Sequence, residues 1–143
     1  MALGGHAGLG TRVLTTKEFT AAIGSVTATG AGQDMLGWDG CRFVISLGAM
    51  ASGATFDAYV VRDDNSSFTS QTNITNAALT QVANTSNTNI FVIDVFRPAE
   101  RYVRLIAAPG VANTTYCVTA DRYRRGGILP PTQTALQSVT VSE

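Results

Sequence analysis

Residues 90–108 place the strongest limit on what this chain can fold into. Residues 90–96 (IFVIDVF) and 102–106 (YVRLI) are dense in the β-branched and aromatic side chains that strands favour, and residues 97–100 contain a proline where a type I turn accepts one. Because side chains alternate across a strand, each segment has one apolar face. These faces carry Phe91, Ile93 and Val95 in the first segment and Val103, Leu105 and Ala107 in the second. We therefore predict a central β-hairpin that forms half of a β-sandwich.

Further strand-like segments recur along the chain, with turn signals between them. They are residues 23–29, 41–47, 55–62 and 115–123. Their spacing of roughly eight to twelve residues, with almost no helical periodicity, predicts an all-β fold, an antiparallel β-sandwich of jelly-roll-like form. We expect Met35, Leu36 and Trp38 to close one end of the core. For residues 69–89 the sequence leaves open either a short strand or a single helical turn.

The 143 residues suit one domain, and the two ends of the chain differ in character from its middle. Residues 1–18 are glycine-rich and then polar, which predicts either a disordered terminus or an N-terminal arm that orders against a neighbouring subunit. Residues 19–125 hold the predicted sandwich. Residues 126–143 contain Pro130-Pro131 followed by a strand-capable segment, so we predict an extended C-terminal arm that adds to the sheet edge of a neighbour.

The formal net charge is zero, so no overall field draws this chain to nucleic acid or to an anionic membrane. The first residues lack the pattern of a signal peptide, and no apolar run approaches the ~18 residues of a membrane helix. We expect a protein made and used in solution, in a cytosol. Cys41 and Cys117 each lie inside a predicted strand, where a reducing compartment favours buried free thiols.

The residues that could carry chemistry predict no active site. His6 stands in the glycine-rich arm and lacks the rigid scaffold that a hydrolytic triad requires. Asp57, Asp63, Asp64 and Asp94 stand in no context that predicts a raised pKa. The Asp63-Asp64 turn offers oxygen ligands for calcium, but it lacks the glycine and glutamate of a helix-loop-helix site. Two cysteines and one histidine cannot build a structural zinc site, so we expect no catalytic, cofactor-binding or metal-binding residues.

One basic cluster stands near the end of the predicted sandwich, beside Tyr123. Guanidinium groups next to an aromatic ring suit either phosphate contacts or a protein interface. Since no wider basic face accompanies the cluster, we favour a salt-bridging contact between subunits. The predicted interface residues are Arg122, Arg124, Arg125, Leu129, Leu136, Val139 and Val141.

Three segments form a recognisable succession. They are Asp34-Met35-Leu36-Gly37-Trp38-Asp39 leading into residues 41–48, then residues 61–69, then Glu100-Arg101-Tyr102-Val103-Arg104-Leu105. This succession resembles a class of small virion structural proteins of tailed bacteriophages. The likeness covers residues 34–123, and Asn65-Ser66 stands where that class has an Asp-Gly turn. Its motifs are structural and not catalytic.

The resemblance implies a capsid decoration or cement protein with a jelly-roll-like sandwich, commonly a homotrimer, that stabilises the phage head. Its partner would be the major capsid protein at the virion surface, after synthesis in the host bacterial cytoplasm. We expect no enzyme activity, no membrane and no specific nucleic acid as partner. Two alternatives stay open. One is a carbohydrate-binding sandwich that uses Tyr59, Trp38 or Tyr102 as a stacking platform, and the other is a head-tail connector or tail component.

Overall fold

The structure is a computed structural model that describes residues 13–124 and 137–143. In these residues it contains eleven β-strands and one 3₁₀ turn at Asn84–Ser86. The strands are β1 Val13–Gly24, β2 Ala28–Thr29, β3 Gln33–Asp34, β4 Gly40–Met50, β5 Thr55–Asp63, β6 Thr72–Ala78, β7 Val82–Ala83, β8 Ile90–Phe96, β9 Tyr102–Gly110, β10 Thr114–Tyr123 and β11 Gln137–Ser142. The prediction of an all-β fold is confirmed.

The strands form two sheets that pack face to face. The first sheet has the order β1-β10-β4-β8-β11, and the second has the order β2-β9-β5-β6, with β3 paired to β9 and β7 paired to β5. Neighbouring strands are antiparallel except for β11, which runs parallel to β8. The predicted antiparallel β-sandwich is therefore confirmed.

Alternation of side chains builds the core between the sheets. Cys41, Phe43 and Ile45 of β4 are fully buried, and the side chains between them are half-buried on the outer face. Phe56 of the second sheet packs against the first sheet across the core. The centroid of its ring lies 5.3 Å from that of Tyr116 on β10. Because each fully buried large apolar side chain contributes about 1.5–3 kcal/mol, this two-sided pattern dominates the stability of the fold.

The predicted hairpin of residues 90–108 is wrong in its pairing, although its apolar faces are buried as expected. β8 pairs with β4 and β11 in the first sheet, whereas β9 pairs with β2, β3 and β5 in the second. Residues 97–101 thus cross from one sheet to the other. A period-two pattern indicates which side chains of a strand point into the core, but it does not indicate which strand pairs with it. Two strands can carry the same pattern whether they are hydrogen-bonded in one sheet or face each other across the core.

Residues at both ends of the chain join the sheet beyond the boundaries predicted for the sandwich. Residues 13–18, placed in the N-terminal arm by the sequence, form the first half of β1 and pair with β10. Residues 137–142, placed in the C-terminal arm, form β11 on the edge of this chain's own sheet. Edge strands bury only part of one face, so their apolar signal is weak. Residues 1–12 and 125–136 of the predicted arms lie outside the described residues.

Residues 69–89, which the sequence left open, contain both of the structures considered for them. β6 and β7 pair with β5, and the 3₁₀ turn follows directly. The strand predicted at residues 23–29 is divided between β1 and β2, because the chain passes from the first sheet to the second at residues 25–27. Cys41 and Cys117 are free thiols, the former buried and the latter half-buried.

One buried carboxyl group joins the two sheets along an edge. Glu18 of β1 is only 7% exposed, and its carboxylate accepts hydrogen bonds from Leu105 N–H on β9 (3.1 Å) and from Gln33 Nε2 on β3 (2.8 Å). Gly30 lies directly against this carboxylate and leaves no room there for a Cβ atom. Burial raises the pKa of Glu18 to about 7, although both hydrogen bonds and Arg104 favour the charged form.

The two ends of the sandwich differ in charge. We call one the uncharged end, because the connections that the structure describes there contain no Asp, Glu, Lys or Arg: residues 25–27, 51–54, 79–89 and 111–113. We call the other the charged end. It is formed by residues 35–39, 64–71 and 97–101, where Asp39, Asp64, Arg97, Glu100 and Arg101 stand.

The raised pKa of Glu18 predicts a pH-dependent stability. Between pH 4.5 and about 7 the folded chain keeps a proton that the unfolded chain has lost, so the unfolding free energy falls as the pH rises. The stabilisation that the Glu18 proton gives the folded chain is fully present below pH 4.5. It declines by up to about 3 kcal/mol between pH 4.5 and about 7. Urea titrations from pH 4.5 to 8 should show this slope, and Glu18→Gln should flatten it. Equal slopes in the two proteins would contradict the assignment.

Phe91 tests the assignment of the inner face of β8. Its side chain is fully buried, so Phe91→Ala should lower the unfolding free energy by about 3–5 kcal/mol. The neighbouring Ile90 is 48% exposed, and Ile90→Ala, as a matched control, should cost less than about 1 kcal/mol. Thermal or urea unfolding measures both values, and unchanged melting of the Phe91 variant would mean that the face is wrong.

Candidate functional site

A groove lies at the charged end, between two connections of the sandwich. Its volume is about 420 Å³, within the range of sites that hold a small molecule or a few side chains of a partner. Residues 35–38 form one wall and residues 97–101 form the other. The lining residues are Met35, Leu36, Gly37, Trp38, Arg97, Pro98, Ala99, Glu100 and Arg101.

The first wall is a tight turn between β3 and β4. Trp38 N–H donates to Met35 O (2.9 Å), and Gly37 occupies the left-handed region with φ +78, which glycine adopts without steric cost. Asp34 Oδ1 accepts from Leu36 N–H (3.0 Å) and fixes the start of the turn. Of the three residues expected to close the core, Met35 is buried and Trp38 packs half-buried against the core, but Leu36 is 69% exposed.

Two arginines hold Trp38 in place. The guanidinium carbons of Arg122 and Arg124 lie 5.5 and 5.1 Å from the centre of the indole ring. Arg122 Nη1 also donates to Asp34 O (2.7 Å), and Arg124 Nε donates to Gly37 O (2.8 Å). These bonds connect the end of β10 in the first sheet to β3 and its turn. The position of the indole is therefore fixed by contacts within the chain itself.

The second wall is fixed from both sides. Arg97 N–H donates to Asp39 O (2.8 Å), which ties residues 97–101 to the first wall. On the other side, Glu143 Oε2 accepts from Ala99 N–H (3.2 Å), and the Glu143 carboxylate also pairs with Arg62. Arg62 in turn lies 3.6 Å from Glu100 Oε1. The second wall is thus held by contacts with Asp39, Arg62 and Glu143.

Charged side chains of both signs surround the groove. Arg101 makes two hydrogen bonds to the Asp34 carboxylate (2.9 and 2.7 Å), and these bonds lower the pKa of Asp34 to about 2. Arg97, Arg122 and Arg124 form no ion pair with a carboxylate of the described residues. The guanidinium of Arg97 is exposed and lies over its own neighbour, the Phe96 ring, at 5.1 Å. The groove therefore combines apolar walls with charged groups of both signs, among which the Arg97 guanidinium is exposed.

The four aspartates considered in the sequence do not converge on a common site. Asp57 accepts from Gln81 Nε2 (2.9 Å) at one end of β5, whereas Asp63 at the other end accepts from the N–H groups of Asn65 (2.8 Å) and Ser70 (2.7 Å). Asp63 thereby shapes the 64–71 connection, as a hairpin-type turn requires. Asp64 lies within 3.4 Å of Arg101 N–H. Each of these carboxylates has a structural partner.

Asp94 belongs to a polar cluster on the outer face of the first sheet. Tyr123 Oη donates to Asp94 Oδ1 (2.7 Å), and burial raises the pKa of both groups. The Tyr123 ring covers Gly40 on the neighbouring strand so closely that no Cβ atom would fit there. Arg42 lies 3.2 Å from Asp121 in the same region. This cluster orders the end of β10, from which Arg122 and Arg124 extend.

The structure brings together only some of the interface residues predicted from the sequence. Arg122 and Arg124 meet at Trp38, where they contact their own chain. Val139 and Val141 lie on β11 and pack half-buried against the core. Arg125, Leu129 and Leu136 lie outside the described residues. The groove, and above all Arg97 and Pro98, was not predicted, since no local pattern in the sequence indicates that two distant turns meet.

No group of three or more His, Cys, Asp or Glu side chains in residues 13–124 and 137–143 is arranged to hold a metal ion. Nor does this part of the chain contain a helix long and apolar enough to cross a membrane.

Comparison with known proteins identifies the fold. No protein-family model matches the chain, and no curated protein sequence matches it. Among solved structures, the crystal structure of PBSX exported protein XepA is similar, with a TM-score of 0.61 and 15% sequence identity. The match covers 85% of this chain and 40% of that one, so this chain spans less than half the length of its structural neighbour. At this identity the likeness establishes a shared fold.

The two arginines at Trp38 should differ in their contribution to stability. Arg122 is partly buried and links the two sheets, so Arg122→Ala should lower the unfolding free energy by about 1–3 kcal/mol. Arg124 is exposed, so Arg124→Ala should cost less than about 1 kcal/mol. Urea unfolding with Trp38 fluorescence as the probe measures both. Equal costs would show that the Arg122 bond does not tie the sheets together.

Proposed function

We propose that this chain is a structural protein of a tailed-bacteriophage virion, a capsid decoration or cement protein that binds the major capsid protein at the surface of the head. The observation that carries the proposal is the preformed groove at the charged end. Tryptophan and arginine are the residues that most often dominate the binding energy of protein interfaces, and here they line one rigid concave surface.

The segments that resemble phage virion proteins are the segments that build this groove. The Asp34–Asp39 motif supplies the first wall, and the Glu100-Arg101 motif supplies part of the second. Arg101 binds Asp34 through two hydrogen bonds and contacts the residue 61–69 motif through Asp64. Motifs far apart in the sequence therefore hold one another at one end of the fold, which supports a shared structural purpose for them.

The fold likeness also supports a phage origin. PBSX exported protein XepA is a phage-derived protein, and this chain shares its fold over 85% of its length. Because the likeness concerns the fold alone, the choice of the capsid as binding partner rests on the groove and on the motifs that form it.

A rigid groove suits a protein that acts through many weak contacts at once. Its side chains are already ordered, so binding loses little conformational freedom at each copy. If the chain is a homotrimer on the lattice, each bound subunit raises the effective concentration of the next contact. Modest affinity per groove then suffices to hold the shell together.

A carbohydrate-binding function is the second candidate, and one observation favours it. Tyr59 and Tyr102 are both half-buried beside Phe68 and Ile106 in a small apolar cluster of the second sheet, where aromatic rings can stack on a sugar. Trp38, the third ring considered for this function, is covered by Arg122 and Arg124, which leaves less of its face for a sugar.

Binding to assembled shells tests the proposed function. The purified chain should cosediment with expanded shells of the major capsid protein from the phage genome that encodes it. Leu36 is 69% exposed in the groove, so Leu36→Asp should leave the fold intact and weaken binding by at least about tenfold. Leu14, another exposed leucine outside the groove, provides the matched control Leu14→Asp, which should bind normally.

Several outcomes would contradict the proposal. Absence of binding to shells, or equal loss in the two leucine variants, would remove the groove as the capsid contact. Binding to portal or tail assemblies instead of shells would indicate a head-tail connector or tail component. Retention on a glycan array that is lost in Tyr59→Ala would support the carbohydrate-binding alternative.

A further inference from the structure

A chain of polar groups joins β1 of the first sheet to β3 and β9 of the second. Thr16 Oγ1 donates to Gln33 Oε1 (2.7 Å), and Gln33 Nε2 donates to Glu18 Oε2 (2.8 Å). Leu105 N–H completes the chain by donating to Glu18 Oε1 (3.1 Å). Gln33 is only 4% exposed, and Glu18 is buried beside it. Polar groups buried in this way depend on one another for hydrogen bonds, so a change at one of them affects the rest.

The hydrogen bonds of this chain fit the ionised form of Glu18. A carboxylate only accepts hydrogen bonds, and here each of its oxygens faces an N–H donor. A neutral carboxyl group carries an O–H that needs an acceptor. With the Gln33 amide as it stands, a proton on Glu18 Oε2 would face the amide NH2 group, and donor would meet donor. A buried donor without an acceptor costs free energy, so the neutral form of Glu18 favours another orientation of the amide.

Reversal of the Gln33 amide supplies the missing acceptor. The amide oxygen and nitrogen are nearly equal in size, so a half-turn exchanges their positions and leaves the other heavy atoms in place. Oε1 then stands within hydrogen-bond distance of Glu18 Oε2 and accepts from its O–H. Nε2 donates to Thr16 Oγ1, and the Thr16 hydroxyl turns its own proton to Ala120 O, 3.3 Å away. Each of these side chains therefore keeps a partner in both orientations of the amide.

Few charged or titratable groups face Glu18. Burial favours its neutral form and raises the pKa of Glu18 to about 7, whereas Arg104 on β9 favours the ionised form. On β4, burial and the charge of Glu18 hold the pKa of the Cys41 thiol well above its usual value, so the thiol stays neutral. Asp34 on β3 lies in an exposed ion pair, and residues 30–32 carry no charge. Glu18 is therefore the group of this region that exchanges a proton near neutral pH.

We propose that Thr16, Gln33 and Glu18 form a proton-linked switch, in which protonation of Glu18 reverses the Gln33 amide. The carboxyl group takes one proton from solvent on Oε2, and no covalent bond other than this O–H forms or breaks. In the ionised state the hydrogen bonds run from Thr16 through Gln33 to Glu18. In the protonated state they run from Glu18 through Gln33 to Thr16 and on to the backbone of β10. β1 and β3 thus remain joined in both states.

The two states differ in how they hold the connection between β2 and β3. In the ionised state Gln33 Nε2 also donates a weak hydrogen bond to Ala31 O, 3.4 Å away. Reversal turns the amide oxygen toward Ala31 O, so this contact becomes repulsive and residues 30–32 are held less firmly. The first wall of the groove begins at Met35, directly after β3. The switch therefore acts on the segment that leads into the groove. It needs no partner of the groove, so it is independent of the proposed capsid function.

Heteronuclear NMR of the full chain from about pH 5 to about pH 9 tests the switch. The side-chain NH2 signals of Gln33 should shift with the same midpoint as the carboxyl carbon of Glu18. At the high end of this range the Gln33 NH2 protons should give nuclear Overhauser contacts to Ala31. At the low end these contacts should weaken, and contacts to the Thr16 side chain should become stronger.

Gln33→Met gives a second test, because methionine has a similar size and no amide. If the amide reverses, Gln33 bonds to both forms of Glu18, so the variant should move the midpoint of the Glu18 titration by less than about half a pH unit. A fixed amide would favour only the ionised form, and its loss would raise the midpoint by about one unit or more. Gln81→Met is the matched control. Gln81 donates to Asp57 on an exposed surface, so this variant should leave the Glu18 midpoint unchanged.

Three results would overturn the proposal. One is a Gln33 amide that keeps its contacts to Ala31 across the whole pH range. Another is a rise of about one pH unit or more in the Glu18 midpoint of the Gln33→Met chain. The last is a Glu18 carboxyl group that does not titrate between about pH 5 and about pH 9.

Discussion

Burial of the inward side chains of two facing sheets is the constraint on which the rest of the structure depends. Once Phe43, Ile45 and their partners on β5, β9 and β10 fill the space between the sheets, polar groups have no place in the middle of the molecule unless fully hydrogen-bonded. Glu18 is such an exception, and its raised pKa reflects the free-energy cost of burying its charged form. Surfaces that could bind a partner are therefore formed by the connections at the two ends of the sandwich. The described connections differ between the ends in their content of charged residues.

The local pattern of the sequence was sufficient to predict much of the sandwich. Alternation in β4 and β10 is a property of adjacent residues, so the buried side chains could be assigned without knowing any partner strand. The pairing of β8 and β9 is a long-range property, and their turn with its proline suggested a hairpin that the structure does not contain. Edge position explains the other difference, because Leu14 and Thr15, on opposite faces of β1, are both exposed and leave no clear alternation.

The groove could not be predicted, for a related reason. Its walls lie about sixty residues apart in the chain, and the bonds that align them involve Arg101, Asp34 and the backbone of Asp39. No single segment of the sequence indicates that the two walls lie side by side. What the sequence did indicate was that Arg122 and Arg124 are unusual, and the structure gives the cause: both stack on Trp38 and fix the first wall.

The position of Glu143 links the shape of the groove to an edge strand. β11 runs parallel to β8, and Glu143, the residue after it, binds Ala99 N–H and Arg62, so the second wall has these supports only while β11 is paired in the sheet. Edge strands are the elements that detach from a sheet most readily, because they are paired on one side only. Local detachment of β11 would therefore loosen the second wall while the other ten described strands stayed paired.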